Sequence, residues 1–194
     1  MDDRATLACL TRRGIGATIA GIFFWAVAVA ITTWSDLPLQ TQGWAMLGVA
    51  IFVYPVGYLI NRALGGDLLA RGHPLGGIVR TLGATEGLGW AVTSVFVVQA
   101  PLLVPFAMAA MAGAHFLPFA WLYRSPAYAV LGAVAVMGAA ILQIASPDAA
   151  TRAIPASMVV GYALAAIAVA RHNALEAPAR AAGPVRARSS APTS

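Results

Sequence analysis

The sequence predicts an all-α fold: a bundle of six transmembrane helices with both the N- and the C-terminus in the cytoplasm. Three observations predict it. Of the 194 residues, 60% are hydrophobic and only 10% are charged, whereas a water-soluble domain has about 25% charged residues. Long apolar runs recur along the chain, and the basic residues fall on one side of those runs. Most of the protein surface therefore faces lipid.

Six apolar runs have the length that a transmembrane helix needs. About 20 apolar residues, each rising 1.5 Å, cross roughly 30 Å of hydrocarbon. The predicted helices cover residues 14–34, 43–61, 79–100, 102–123, 126–145 and 153–171. Together they form one transmembrane domain, residues 14–172, which follows a cytoplasmic N-terminal segment, residues 1–13. Residues 173–194 are rich in Ala, Pro, Arg and Ser, a composition that predicts a disordered basic tail.

The long apolar stretch between Arg80 and Tyr123 is divided into two helices by its prolines. Pro101 and Pro105 lie near its centre. Proline lacks a backbone N–H and disfavours helical geometry in the residue before it. We therefore expect a tight turn at Pro101 and an antiparallel hairpin of the third and fourth helices.

The arginines predict the orientation of the bundle. All twelve basic residues are arginine, a bias that, with the abundant alanine, is typical of a GC-rich bacterium. With the N-terminus inside, eleven arginines lie on the cytoplasmic side and only Arg152 on the other. Cytoplasmic loops of membrane proteins are enriched in basic residues. We expect a multi-pass protein of the bacterial cytoplasmic (inner) membrane.

Two ionisable residues inside the predicted helices form the candidate site. Glu86 lies on the third helix and His115 on the fourth, roughly 9 Å and 13 Å from the cytoplasmic edge at 1.5 Å per residue. Their depths match, so the two side chains can meet across the hairpin. Trp90 and Thr93 share the face of Glu86. Ionisable residues within a membrane are costly and often functional, so we expect a ligand or proton site at these four positions.

A structural explanation of the same pair stays open. Glu86 and His115 can lock the hairpin without binding anything, and Glu86 can instead extend toward Arg80 at the interface. Pro118, one turn after His115, frees a backbone carbonyl in the fourth helix. That feature favours His115 as the centre of a site.

Small residues at four-residue spacing predict where helices pack closely. Gly83 and Gly87 form a GxxxG pattern on the third helix, and Ser157 and Gly161 form a similar pair on the sixth. Small side chains let two backbones approach in lipid. We expect these four residues to mediate helix packing.

Several chemistries have no support in the sequence. There is no phosphate-binding loop and no HExxH motif. Cys9 is the single cysteine, so a disulfide within the chain and a cysteine-based metal site are excluded. We expect no catalytic residues, no cofactor, no metal and no enzyme activity. We expect the lipid bilayer as the partner, with self-association as a further option and no nucleic acid.

Three segments resemble a known family. They are the Tyr-Pro-Val-Gly-Tyr run from Tyr54, the His-Pro-Leu-Gly run from His73, and the Ala-His-Phe-Leu-Pro motif from Ala114, which is followed by Trp-Leu-Tyr-Arg-Ser. The chain is similar over residues 10–145 to small, uncharacterised bacterial multi-pass membrane proteins defined only as a domain of unknown function. The resemblance implies that His115 and the Pro74–Gly76 turn belong to the shared pattern. An amide is found near the position of Glu86 in that family, and the resemblance implies no activity.

Two functions follow from these observations as expectations. The preferred one is a bundle that binds or passes a small solute or a proton at a site around His115. The second is a non-catalytic scaffold that associates with itself or a partner through its small-residue faces. No inverted repeat relates residues 14–100 to residues 102–172, which speaks against the transporter folds built from two such halves.

Overall fold

The computed structural model describes residues 2–188, with side chains as far as residue 176, and this part of the chain contains α-helices and no β-strand. Two short 3₁₀ turns, Arg12–Gly14 and Pro101–Leu103, join neighbouring helices. The helices are α1 Asp3–Leu10, α2 Ile15–Trp34, α3 Leu39–Ala50, α4 Val53–Ala63, α5 Gly76–Gln99, α6 Val104–Leu122, α7 Pro126–Ala145 and α8 Pro147–Arg188.

Six helical segments within these residues are long and apolar enough to cross a membrane. The segments are Arg12–Trp34, Leu39–Ala63, Gly76–Gln99, Pro101–Leu122, Pro126–Ala145 and Pro147–Glu176. The prediction of six apolar helices is confirmed. Their positions agree with the predicted ones to within a few residues, apart from the last segment, which begins earlier and continues further.

The second segment is divided into α3 and α4 by a turn at Ile51 and Phe52. Pro55 explains this position, because it has no N–H to donate to the Ile51 carbonyl one turn earlier. A proline inside α6, Pro118, has no such effect, and that helix continues to Leu122.

The two ends of the chain differ from the sequence expectation. The N-terminal segment forms α1, whose Leu7 and Ala8 are fully buried. At the other end, α8 continues to Arg188, so the expected disorder from residue 173 is replaced by helix over 173–188. Asn173 is buried in the bundle and holds this part of α8 in place. Residues 189–194 of the predicted tail lie outside the described residues.

The helices pack unequally. α2 lies at the centre and contacts α3, α4 and α8, while α6 packs along α7 and α7 along α8. α5 contacts mainly α6 and is the least buried of the six segments. A gap beside α5 is therefore left in the bundle.

Close helix contacts depend on glycines other than the predicted ones. A side chain at Gly16 in α2 would collide with the backbone of α4 at Gly57. Gly113 in α6 and Gly132 in α7 meet in the same way, and a Cβ at Gly132 would lie 2.7 Å from the Gly113 carbonyl oxygen. These contacts bring α2 to α4 and α6 to α7, as small residues do in membrane bundles.

The four predicted packing residues have mixed environments. A Cβ at Gly83 would lie 3.5 Å from the Tyr54 ring, and one at Gly161 would lie 3.2 Å from Leu131. Gly87 differs, because no heavy atom outside its own helix backbone lies within 4 Å of that position. Ser157 also differs, since it is exposed and its hydroxyl donates to the Ile154 carbonyl of its own helix. The helix-packing role of these residues stays a prediction, and a Cβ at Gly87 would have open space around it.

Two of the described arginines, Arg12 and Arg152, lie at opposite ends of the bundle. Arg12 donates to the Leu64 carbonyl where α2 begins and α4 ends. Arg152 donates to the Thr32 carbonyl at the opposite end. The antiparallel order of the six segments therefore separates Arg152 from the other arginines.

Candidate functional site

The two predicted ionisable residues meet across the α5–α6 hairpin. The His115 Nε2 lies 3.5 Å from the Glu86 Oε2. The His115 side chain is 16% exposed and the Glu86 side chain 37%. The contact is long for a charge-assisted hydrogen bond, which is usually about 2.7–2.9 Å. Both side chains therefore keep part of their surface accessible.

A glycine on α5 brings the two helices together beside this pair. Met111 of α6 lies over Gly89, where any side chain on α5 would collide with the methionine. Thr93 donates to the Gly89 carbonyl at 3.2 Å and also contacts the Met111 sulfur at 3.3 Å. Glu86 is about one turn from Gly89, and His115 is one turn from Met111. The close approach at Gly89 therefore places Glu86 opposite His115.

The pair borders a cavity of about 180 Å³. It lies between α2, the α3–α4 segment, α5 and α6, with Tyr128 of α7 and Tyr162 of α8 completing its wall. All four predicted site residues line it, so the structure brings Glu86, Trp90, Thr93 and His115 together at one cavity. Whether they act on a ligand stays a prediction.

Nine of the 24 residues that line the cavity are aromatic. The lining aromatic residues are Phe24, Trp25, Tyr54, Trp90, Phe116, Phe119, Tyr123, Tyr128 and Tyr162. The His115 ring packs against Phe119, with 4.9 Å between ring centroids. Among the described residues, Glu86 is the one carboxylic acid that lines the wall, and no arginine contributes to it.

The cavity is closed toward both ends of the bundle. Leu68 and Tyr123, both buried, close the end at which the chain begins. Beyond the other end, α3, α5 and α6 meet, and a Cβ at Gly43 would lie 3.1 Å from Val97 and 3.4 Å from Val104. Passage along the bundle axis would require these contacts to separate.

The cavity is accessible from the side, between α4 and α5. Of its lining residues, only Tyr54 on α4 and Gly87 on α5 are exposed, and they flank the same seam. The seam adjoins Glu86, whose side chain is partly exposed there. For a bundle in a bilayer, a lateral opening of this kind faces lipid.

Sequence reasoning missed a second polar group, at the junction of α1 and α2. The junction cluster, as we call it, comprises Thr11, Arg12, Arg13, Asn61, Tyr128, Asn173 and Glu176. Arg12, Arg13 and Gly14 have φ angles of 48°, 55° and 66°. The left-handed region costs a non-glycine residue about 1–2 kcal/mol, and such a backbone persists only where its surroundings determine it.

Side chains from two other helices satisfy the backbone of this junction. Asn61 of α4 donates to the Thr11 carbonyl and accepts from the Gly16 N–H, both at 3.1 Å. Tyr128 of α7 donates to the Arg13 carbonyl at 2.6 Å. These buried bonds hold the α1–α2 turn against α4 and α7.

The junction cluster extends to α8 through Arg13. Asn173 donates to the Arg12 carbonyl at 3.0 Å and accepts from the Arg13 guanidinium at 2.7 Å. The same guanidinium pairs with Glu176 at 2.5 Å and lies 3.2 Å from the His172 Nε2. The sequence assigns residue 173 to a tail, and no pattern there indicates that Asn173 reaches the first helix.

The fold and the site define a class: helical proteins with six segments long and apolar enough to cross a membrane, and with an aromatic-lined cavity beside a carboxylate and an imidazole. The chain belongs to a family of unknown function, DUF7010, whose sequence profile matches residues 2–172. The resemblance to an uncharacterised family is thereby confirmed. No curated protein and no solved structure matches the chain.

Proposed function

We propose that this protein lies in the bacterial cytoplasmic membrane, binds a small molecule in the cavity around His115, and passes protons through the same site. The observation that carries the proposal is the cavity of about 180 Å³ beside the Glu86–His115 pair. An engineered apolar cavity of roughly 150 Å³ in another protein holds benzene. By the same ratio of volume to atoms, a ligand of about seven heavy atoms fits the cavity. No catalytic step is part of the proposal.

The proposed orientation of the bundle in the membrane is inferred from the positions of the arginines. The six apolar segments alternate in direction along the chain. By this alternation, eleven of the twelve arginines fall on the same side of the membrane as the N-terminus. The positive-inside rule then places both termini in the cytoplasm. In that orientation, Glu86 and His115 lie in the cytoplasmic half of the membrane, and the contacts among α3, α5 and α6 close the far side.

The geometry of the pair favours a site over a lock between two helices. A locking pair is stabilising when it is enclosed and well hydrogen-bonded. Glu86 and His115 are 3.5 Å apart, and both keep part of their surface open. A carboxylate beside an imidazole can hold one proton between them, and the open faces leave room for a second species.

Proton flux in proteoliposomes tests this function. The purified full chain is reconstituted, a membrane potential is imposed, and internal acidification is followed with a trapped pH dye. We expect flux above that of empty vesicles, and a loss of at least tenfold for His115→Ala. His73→Ala, which changes a histidine in the α4–α5 loop, is the matched control and should retain the flux. Equal flux for the wild type and His115→Ala, or none for either, would contradict the transport function.

A further inference from the structure

The charge of the cavity wall distinguishes one class of ligand from the others. Glu86 is the one acidic side chain of the wall among the described residues. Three arginines adjoin wall residues in the sequence, and each has its partners outside the cavity. Arg13 donates to Asn173 and Glu176. Arg80 donates to the Leu69 carbonyl, and Arg124 donates to Asp2. An anion entering the cavity would meet the Glu86 carboxylate with no fixed cation beside it, and such an encounter is unfavourable at low dielectric.

Two hydroxyls of the wall are already hydrogen-bonded within the protein. The Thr93 hydroxyl already donates to the Gly89 carbonyl. The Tyr128 hydroxyl is shared between Thr18 and the Arg13 carbonyl. Among the described residues, the Tyr123 hydroxyl is the buried hydroxyl of the wall that has no hydrogen-bond partner.

Aromatic faces around a carboxylate form a site for a cation. Trp90 is one turn from Glu86 on the same face of α5, and Trp25 and Tyr162 line the opposite wall. The ring face of a tryptophan or tyrosine carries negative electrostatic potential and attracts ammonium groups, by about 2 kcal/mol or more when water is excluded. Quaternary ammonium groups are bound in such aromatic surroundings because they need no hydrogen-bond acceptor.

We infer that the cavity binds a small organic cation of the substituted-ammonium class, with its charge next to Glu86 and its apolar groups against the aromatic rings. This inference rests on the proposed function, because it names the class of solute that the same cavity takes. The lateral opening at Tyr54 and Gly87 suits such a ligand, since an ammonium with apolar substituents partitions into the membrane interface.

A pair of isosteres tests the charge directly. Choline and 3,3-dimethylbutan-1-ol have the same heavy-atom skeleton, and a carbon in the alcohol replaces the charged nitrogen. Each is titrated into the full chain in maltoside detergent, and binding is followed by the change in tryptophan fluorescence, to which Trp25 and Trp90 in the cavity wall contribute. We expect choline to bind at least tenfold more tightly than the alcohol.

Variants then assign the preference to Glu86. Glu86→Gln should lower choline affinity at least tenfold and leave the alcohol unchanged, so that the preference disappears. Glu86→Asp keeps the charge and should keep the preference. Asp36→Asn removes a carboxylate from the loop between α2 and α3, changes the net charge equally, and should have no effect. A preference that survives in Glu86→Gln would overturn the inference.

The outcomes separate this inference from the proposed function. Equal affinity of the wild type for choline and the alcohol overturns the cation class, while the cavity remains a binding site. Binding of neither compound overturns the site itself. A further titration with short-chain phosphatidylcholine distinguishes sources of the cation: displacement of choline indicates a lipid headgroup, and its absence indicates a free cation.

Discussion

The junction cluster and the Glu86–His115 pair differ in how completely their hydrogen bonds are satisfied. In the junction cluster, Asn61 makes two buried bonds and the Arg13 guanidinium has partners on α8. At the cavity, Glu86 and His115 share one contact of 3.5 Å and remain partly open. Most polar atoms of the junction cluster are hydrogen-bonded, although the buried Arg13 Nε is not. A polar group of this kind fixes the structure of an apolar bundle, whereas a pair that is partly open keeps capacity for a ligand. The difference predicts that substitutions in the first region destabilise the fold and those in the second change binding.

The largest effect is expected at the glycine contact that supports the junction cluster. Gly16→Leu should abolish folded protein, because any side chain there collides with the α4 backbone at Gly57. Gly48→Leu is the matched control, since a Cβ at Gly48 has no heavy atom within 4 Å. The yield of monodisperse protein after size exclusion in detergent measures both. Equal yields would mean that α2 and α4 do not approach as described.

A smaller loss is expected when one side chain of the junction cluster is removed. Asn61→Leu preserves size but leaves the Thr11 carbonyl and the Gly16 N–H without their partner. Each buried unsatisfied group costs about 1–3 kcal/mol, so the free energy of unfolding should fall by about 2–6 kcal/mol. SDS titration of detergent-solubilised protein measures it. Thr85→Val, which removes a hydroxyl from the exposed face of α5, should change it by less than about 0.5 kcal/mol.

At the cavity, the same measurement should show little change. Glu86→Gln and His115→Gln should each alter the free energy of unfolding by less than about 1 kcal/mol, because partly exposed ion pairs contribute little. The double variant should show a coupling energy of similarly small size in a double-mutant cycle. A loss as large as that of Asn61→Leu would show that the pair locks the hairpin, the structural alternative to a site.

The smallest effect on stability, with a large effect on binding, is expected at the seam. Gly87→Leu places a side chain where no neighbour lies within 4 Å, so stability should be unchanged or rise by up to about 1 kcal/mol from better helix propensity. Because Gly87 flanks the opening, choline binding should fall at least tenfold. Gly77→Leu, on the same helix and equally free of neighbours, should bind choline as the wild type does.

The spans and the polar pair could be predicted because they depend on local properties of the sequence. Apolar run length gives the helices, and the rise per residue places Glu86 and His115 at similar depth. Pro101 marks the turn of their hairpin, which restricts the two helices to neighbouring positions. The cavity itself could not be predicted, because it results from the loose packing of α5 against α4, a property of the whole bundle.

The junction cluster could not be predicted for a different reason. Asn61 follows an apolar run and Asn173 follows the last one, so each has the sequence context of a helix end at the membrane surface. Their hydrogen bonds to Thr11 and Arg12 join segments far apart in the chain. The packing glycines are similar: Gly16 and Gly57 belong to no GxxxG pair, and their contact depends on how α2 and α4 cross.

Ligand protection of a cysteine at the seam tests most directly that the Glu86 cavity is an open cation site. Gly87→Cys and Leu88→Cys are made in a Cys9→Ser chain, and their reaction with a small methanethiosulfonate is timed with and without choline. Leu88, which is 73% exposed, points away from the cavity. We expect choline to slow the modification of Gly87→Cys at least tenfold and to leave the modification rate of Leu88→Cys unchanged. Equal rates with and without choline at Gly87→Cys, or equal slowing at both positions, would contradict it.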